Sequence, residues 1–353
     1  MSVATPTIAD SVVVPPVVEQ VTVRRRPGVF RRLVSKPLTA LSLAVVLFYI
    51  AAGLGSFLPV MTDLINTPIG TSYQPPQFGT PGYWFGTDIL GRSVFWRTIY
   101  GTRTALIITA GTGLLSLSIG TILGVCSGYF GGKVDAFVTW LFTTISSIPW
   151  ILLVVAIAFA LQGYTFSNGQ LFKDRFGDLP AIILALGLTG WVGLCRLLRG
   201  ETMKLRAVDY VQAARAIGAS TPRILGVHIL PNVTHLIIIS FSLAAVGYVQ
   251  AEVALTFIGI GINNQPSWGR MITEAKLEVL RGVWWQLAAA TLAIFAISLA
   301  LNVLGDALRD ALDPEAARPG VAAAGVAGAV VAAAGVALGN EPTKRASWCS
   351  DTG

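Results

Sequence analysis

The chain has 353 residues, of which 54% are hydrophobic and only 12% are charged. Soluble domains carry about 25% charged residues, so this composition excludes a soluble globular protein and indicates an integral membrane protein. The formal net charge of +7 would suit a nucleic-acid binder only if Lys and Arg clustered with aromatic residues on a soluble face. No such cluster is visible in the sequence, so we expect no nucleic-acid partner.

Residues 1–37 form a basic arm ahead of the first apolar segment. The arm has no apolar stretch of the kind found in a cleaved signal peptide, and we expect it to be disordered and cytoplasmic. Its positive charges are Arg24, Arg25, Arg26, Arg31, Arg32 and Lys36.

Six apolar segments follow, each close to the roughly 20 residues that a helix needs to cross a bilayer. They cover residues 38–58, 104–125, 136–161, 179–198, 236–258 and 284–304. An even number of spans places both ends on one side. With the N-terminus inside, fifteen Lys and Arg fall on the cytoplasmic side and eight on the outer side, apart from two in the tail. An excess of Lys and Arg is expected on the cytoplasmic side of a membrane protein. We therefore predict an all-α, multi-pass protein of the plasma or inner membrane with six transmembrane helices and both termini in the cytoplasm.

The second span carries a small residue at every fourth position: Ser116, Gly120, Gly124 and Gly128. Small residues at this spacing let membrane helices approach closely. We interpret this face as a packing seam rather than a substrate groove.

Glu252 is the only acidic residue well inside a predicted span. An ionisable group in hydrocarbon is costly unless it faces the bundle interior or water, which makes Glu252 a candidate for a pore or buried polar site. A structural role is an equal alternative, in which Glu252 pairs with a neighbour such as Gln250 or lies near the outer surface.

The polar and basic stretch DYVQAARAIGASTPRILGVHILPN lies between the fourth and fifth spans. Its residues 208–217 suit a short helix, with Ala213, Ala214 and Ile217 on one face. Gly218 suits the end of that helix, because glycine enters the left-handed conformation without steric cost.

A second short helix is predicted to follow in the same stretch. Ser220 or Thr221 can cap it, Pro222 fits its first turn, and Pro231 marks its far end. The stretch is therefore predicted to form a helix-turn-helix elbow at the membrane surface. An ordinary cytoplasmic loop with Arg residues near lipid headgroups is the alternative on physical grounds alone.

Residues 315–353 form an Ala- and Gly-rich tail of low complexity. Within it, residues 321–338 are uncharged, but they contain too few strongly inserting side chains for us to predict a seventh span. The three cysteines, Cys126, Cys195 and Cys349, show no metal-ligand spacing, and we expect no metal site.

The sequence lacks the motifs of common catalytic sites. The phosphate-binding pattern GxxxxGK[ST] is absent: its nearest lookalike has Ser127 in place of the first Gly and Val134 in place of Ser or Thr. Neither HExxH nor GxSxG occurs, and the two histidines, His228 and His235, have no convincing nucleophile beside them. We expect no catalytic residue in this chain, and any ATP must be handled by another chain.

The elbow sequence QAARAIGASTPRILGVHILP resembles the EAA loop of permease subunits of ABC importers. The pattern of that loop is E-A-A, three residues, G, nine residues, I, any residue and L-P. Gln212 stands where the pattern has Glu, and His228 stands where it has Ile. The positions that fall at its spacing are Gln212, Ala213, Ala214, Gly218, Leu230 and Pro231.

Five other motifs extend this resemblance over residues 38–314. In chain order they are FGTDILGRSVFWRTIYGTRTAL, GYFGGKVD, EVALTFIGIGI, PSWGRMI and NVLGDALRDALDP. They are similar to motifs of the C-type permease subunits of dipeptide and oligopeptide importers, the DppC/OppC type. The first motif belongs to the outer side and includes Gly86, Thr87, Asp88, Gly91 and Arg92. Physically, this motif could serve only to order a loop through glycine turns and an Asp-Arg pair.

The resemblance implies a permease domain at 38–314 whose elbow is a coupling helix that docks in a groove of a cytoplasmic ATPase. The implied partners are a second, homologous permease subunit, two ABC ATPase subunits or domains and an extracytoplasmic substrate-binding protein. ATP and magnesium would be bound by the ATPases, and no cofactor by this chain. The implied substrates are di- or oligopeptides, although relatives of similar sequence carry nickel, glutathione and other small solutes.

An ion-coupled secondary transporter or channel is the rival interpretation. It would usually show several intramembrane acids or broken helices repeated in two halves. A membrane-embedded enzyme is a third possibility, but it lacks a nucleophile, base and metal set.

Overall fold

A computed structural model describes residues 36–166 and 170–312. Most of the basic arm and the whole tail beyond residue 312 lie outside the described residues, so the expectations for them, including that for 321–338, stay predictions. The α-helices are α1 (Pro37–Gly55), α2 (Pro59–Asn66), α3 (Val94–Phe130), α4 (Gly132–Ser146), α5 (Trp150–Gly163), α6 (Phe172–Phe176), α7 (Asp178–Gly190), α8 (Val192–Leu205), α9 (Asp209–Ala216), α10 (Thr221–Arg223), α11 (Leu230–Ile258), α12 (Trp268–Glu278) and α13 (Trp285–Leu312).

Five stretches are long and apolar enough to cross a membrane: α1, α3, α7 with α8, the run Thr221–Ile258, and α13. The pair α4 and α5 makes a sixth when it is counted as one broken span. The described residues contain three isolated β-bridges and no longer strand pairing. The prediction of an all-α membrane protein with six spans is confirmed.

The third predicted span, 136–161, is wrong as a continuous helix. It consists of α4 and α5, which meet at a bend of 91°. Pro149 has no N–H to donate to the preceding turn, and it disfavours a helical conformation at Ile148. The Ser147 hydroxyl donates to the carbonyl of Thr144 at 2.7 Å and so competes with the backbone for that acceptor. We call residues 147–149 the break.

The second arm of the elbow does not end at Pro231, as the sequence analysis expected. The chain passes from α10 through a π-helical turn, Ile224–Ile229, directly into α11. Pro231 sits in the first turn of α11, where it cannot donate to the carbonyl four residues earlier. A π-helical turn takes up this loss by widening the helix just before the proline.

Helix α3 is the axis of the bundle, because its 37 residues extend about 55 Å and reach both ends. Its small-residue face packs against α8: a Cβ on Gly124 would lie 2.7 Å from the carbonyl oxygen of Cys195. Gly120 and Gly128 face Trp191 and Arg199 at similar distances. The packing seam predicted from the sequence is confirmed.

Candidate functional site

The first helix of the elbow, α9, ends in a Schellman motif. Gly218 has a φ of +84°, its N–H donates to the carbonyl of Arg215 at 3.0 Å, and the N–H of Ala219 donates to that of Ala214 at 3.0 Å. These two bonds satisfy carbonyls that a helix end otherwise leaves free. The predicted helix end at Gly218 is confirmed, and so is the place of Pro222 in the first turn of α10.

The sequence analysis placed Ala213, Ala214 and Ile217 on one face of α9, and this prediction is wrong for Ala214. Ala214 is 7% exposed and points inward with Val211, whereas Ile217 is 86% exposed and Ala213 is also exposed. Residues three and four apart share a face of a helix, so Tyr210, Ala213 and Ile217 form one outward row. We call these three residues the exposed stripe.

The remaining elbow residues hold the elbow together or lie beside it. The Gln212 side-chain amide donates to the carbonyl of Ala207 at 2.9 Å, which a carboxylate at this position could not do. Leu230 and Pro231 form the first turn of α11. Ser220 precedes α10 but makes no side-chain capping bond.

A basic brace ties the elbow to the end of α3. Arg206 donates to the carbonyl of Tyr129 at 3.1 Å, and the Arg215 guanidinium lies 5.2 Å from the centre of the Tyr129 ring. Two turns before Arg206 on α8, Arg199 pairs with Asp135 through two nitrogens. The sequence analysis recognised GYFGGKVD as a motif but missed this role, because the pairing joins residues more than sixty positions apart.

The motif FGTDILGR builds a compact cap at the opposite end of α3. Gly86 and Gly91 have φ values of +69° and +72°, and a Cβ on Gly91 would collide with the carbonyl of Gly70. The buried Thr87 hydroxyl donates to the carbonyl of Thr71 at 2.8 Å. Asp88 accepts from the Leu90 and Arg92 backbone N–H groups and pairs with the Arg92 side chain at 2.7 Å. The glycine turns and Asp-Arg pair predicted for this loop are confirmed.

The cap is anchored by a buried arginine that the sequence analysis missed. Arg97, 1% exposed, donates to Asp88 at 2.5 Å and to Glu274 of α12 at 2.9 Å. Glu274 also accepts from Arg270 at 2.8 Å. Asp88 and Arg97 lie on the same local motif, but no spacing in the sequence connects either residue to Glu274.

Two glutamates of α12 respond to this charge cluster in opposite ways. Burial raises the pKa of Glu274, but Arg97 and Arg270 outweigh burial and hold the pKa below its ordinary value. Burial raises the pKa of Glu278 to about 7, and the nearby Glu274 and Asp88 add to the rise against Arg97 and Arg281. One carboxyl oxygen of Glu278 has no hydrogen-bond partner.

Glu252 is buried at 2% exposure where α11 meets α12. It accepts from the Thr256 hydroxyl at 3.0 Å, and a Cβ on Gly269 would lie 3.2 Å from its carboxyl oxygen. The neighbour suggested by the sequence, Gln250, is exposed. Glu252 is therefore a buried carboxyl group at the contact of two helices, hydrogen-bonded within its own helix, and a role in a pore stays a prediction.

Five apolar spans, one broken span and a helical elbow at one end define a multi-span α-helical membrane protein. Residues 120–318 match the family described as the inner membrane component of binding-protein-dependent transport systems. The chain belongs to this family of permease subunits. Membership decides against the ion-coupled transporter, the channel and the membrane enzyme considered above.

Several curated relatives are similar over most of their length. The dipeptide transport system permease protein DppC of Bacillus subtilis is 35% identical over 82% of this chain and 85% of its own. The oligopeptide transport system permease protein OppC of the same organism is 31% identical over 80% and 88%. The glutathione transport system permease protein GsiD of Pectobacterium atrosepticum is 33% identical over 66% and 73%.

Proposed function

We propose that this chain forms half of the translocation path of an ATP-driven importer of di- or oligopeptides. The other half is a second, homologous permease subunit. The names of the relatives support this substrate class, since dipeptides, oligopeptides and glutathione all carry peptide bonds and free carboxylates. An extracytoplasmic binding protein delivers the substrate and sets the preferred peptide length.

The elbow is the contact for the ATPases of this importer. The observation that carries this proposal is the exposed stripe, because it presents Ile217 at 86% exposure on a helix whose end is fixed by the Schellman motif. A large apolar side chain held rigidly at the end of a bundle suits a pocket on a partner protein. The chain lacks a phosphate-binding loop, so ATP and magnesium belong to two cytoplasmic ATPase subunits or domains.

Transport proceeds by alternating access. ATP binding closes the ATPases and moves the elbows of the two permease subunits, and this movement opens the path outward. Hydrolysis restores the inward-open state. The elbow and both termini are cytoplasmic in this arrangement, and the cap faces outward.

The variant Ile217→Asp tests the proposal. Placing a carboxylate in an apolar pocket is unfavourable, so we expect at least about a tenfold loss of substrate uptake, equivalent to ~1.4 kcal/mol, and weaker co-purification of the ATPases. Val227→Asp is the matched control, because Val227 is also an apolar residue of the elbow, 58% exposed, but lies on the π-helical turn and outside the stripe. Membrane abundance is measured for both variants.

Uptake at the parent rate by Ile217→Asp, with the ATPases still bound, would show that the stripe is an ordinary surface. Loss of docking would also place the elbow in the cytoplasm, since the ATPases are cytoplasmic.

A further inference from the structure

The break between α4 and α5 lies level with the middle of the membrane-spanning helices, and its side chains are exposed on the surface of this chain. It borders Thr189 and Val192, and the residues between these two pack on Ser116 and Gly120 of α3, well inside the predicted span 104–125. All residues from 146 to 150 are exposed. Irregular backbone at membrane depth is tolerated only where protein buries it or where it lines a water-filled cavity. The break therefore requires water or a protein cover.

A cavity of about 470 Å³ opens at the break. Cavities of roughly 300–1,000 Å³ are typical of small-molecule sites. Its walls are the break itself, the adjoining ends of α4 and α5, and Thr189 and Val192. It is thus large enough for the end of a short peptide.

An arginine contacts Ser146 at the wall of this cavity and forms no salt bridge with a described residue. Arg196 donates to the Ser146 hydroxyl at 3.2 Å, and its guanidinium lies 5.1 Å from the centre of the Phe142 ring. The salt bridges of the described residues do not include Arg196, whereas Arg199, one turn further along α8, is paired with Asp135. Arg196 is exposed, and the residue before it, Cys195, packs on Gly124 at the end of the predicted span 104–125, so its guanidinium lies between the water at that end of the bundle and the break.

The first turn of α5 adds to the positive character of the cavity. The N–H groups at a helix start have no intrahelical acceptor, and the helix dipole is positive at this end. Trp150, the first residue of α5, lines the cavity. A guanidinium and free N–H groups together suit a carboxylate better than a neutral or cationic group.

We propose that the break is a carboxylate-binding point on the translocation path. Arg196, supported by Ser146 and the start of α5, receives the C-terminal carboxylate of a peptide while it crosses the membrane. The second permease subunit lies across the water-filled cavity. This inference rests on the proposed function and adds to it the chemical group of the substrate that the path recognises.

Charged thiol reagents test this site without a known substrate. Cys126, Cys195 and Cys349 are first replaced by alanine, and Ser147→Cys is placed at the break. The assembled complex in nanodiscs is treated with anionic sulfonatoethyl methanethiosulfonate and cationic trimethylammonioethyl methanethiosulfonate, with rates normalised to those of free cysteine. Leu114→Cys is the control, because Leu114 is 73% exposed on α3 at a similar depth.

We expect Ser147→Cys to react while Leu114→Cys does not, and to prefer the anionic reagent by about tenfold. Arg196→Gln should abolish this preference, and Arg196→Lys should keep most of it. A dipeptide should protect Ser147→Cys, whereas its C-terminal amide should not.

Three results would overturn the proposal: a Ser147→Cys that is as unreactive as Leu114→Cys, a reagent preference that Arg196→Gln leaves unchanged, or equal protection by the dipeptide and its amide. The first would mean that lipid or the partner subunit covers the break. The proposed function is judged separately by co-purification of the ATPases, which none of these results affects.

Discussion

At the scale of single residues, charge burial is concentrated in the cap. Asp88 and Arg97 are each 1% exposed, and removing one member of such a pair costs about 3–5 kcal/mol because the other charge stays buried alone. Glu274 shares Arg97 with Asp88 and thereby fastens α12 to α3. Glu278 differs from these residues, because burial and the nearby Glu274 and Asp88 raise its pKa and it forms no salt bridge with any other described residue.

The ionisation of Glu278 should make the stability of the protein depend on pH. Its pKa in the folded protein is about 7, above the ordinary value of about 4.3 in an unfolded chain. A raised pKa gives a contribution to stability that is complete below the unfolded value and is lost as the pH rises through about 7. We expect Glu278→Gln to reduce the loss of melting temperature between pH 5 and pH 8.

Purified protein in detergent, melted at both pH values, provides the measurement. Arg281→Gln is a suitable control, because Arg281 is exposed nearby and its loss should not reduce the pH dependence. An identical pH dependence in Glu278→Gln and the parent would contradict the assignment.

At the scale of elements, two glycines act for different physical reasons. Gly218 needs its positive φ, yet a Cβ at this position would meet no atom within 4 Å. Gly124 has ordinary helical geometry, but its Cβ would collide with α8. One residue therefore governs a turn, and the other governs the distance between two helices.

Gly218→Val should damage the elbow through backbone strain alone. A β-branched residue at φ +84° is a genuine outlier, whereas Asn tolerates the left-handed region. We expect Gly218→Val to lose uptake and ATPase co-purification, while Gly218→Asn keeps most of both at equal membrane abundance. Equal behaviour of the two variants would exclude the backbone as the cause.

Gly124→Ala should destabilise the protein, although Gly→Ala inside a helix usually stabilises by roughly 0.5–1 kcal/mol. The added methyl group would press on the carbonyl of Cys195 across the seam. Gly193→Ala is the matched control on α8, because nothing lies within 4 Å of its Cβ. Melting temperatures should fall for the first variant and hold or rise for the second. A melting temperature that holds or rises in both variants would show that α3 and α8 move apart to accommodate the added methyl group.

The sequence predicts features that arise from neighbouring residues and misses those that require distant ones. Gly218, Pro222 and the small face of α3 follow from local conformational preference and helical spacing, and the structure confirms them. The spacing alone groups Ala214 with Ala213 and Ile217, because nothing local predicts that Ala214 is buried on the same side as Val211, which packs with Ile224 of the π-helical turn. Arg97 and Glu274 are 177 positions apart, so only the folded chain brings them together. Ala214→Glu would consequently disrupt the elbow itself and cannot test ATPase docking alone.

At the scale of the whole molecule, the hydrophobic clusters divide the bundle into regions. One cluster lies under the cap around Trp268 and Trp285, and another lies under the elbow around Val211 and Ile224. Helix α3 connects the two ends, with Trp268 donating to the carbonyl of Thr98 at one end and Arg206 to that of Tyr129 at the other. A displacement of the cap or of the elbow therefore acts directly on α3, which also contacts the opposite end of the bundle.

The absence of a helix end at Pro231 makes the second arm of the elbow and the fifth span a single rod. Its 38 residues from Thr221 to Ile258 extend about 57 Å, so a tilt of roughly 10° at the elbow would swing the far end by about 10 Å. That far end carries Glu252 and Thr256 near α12, so in the proposed importer the rod would be a lever between the ATPases and the cap. Spin labels at Arg223 and Phe257, which are both exposed and lie on either side of the π-helical turn, should keep one separation throughout the transport cycle, and a separation that changes on ATP binding would show that the π-helical turn is a joint instead.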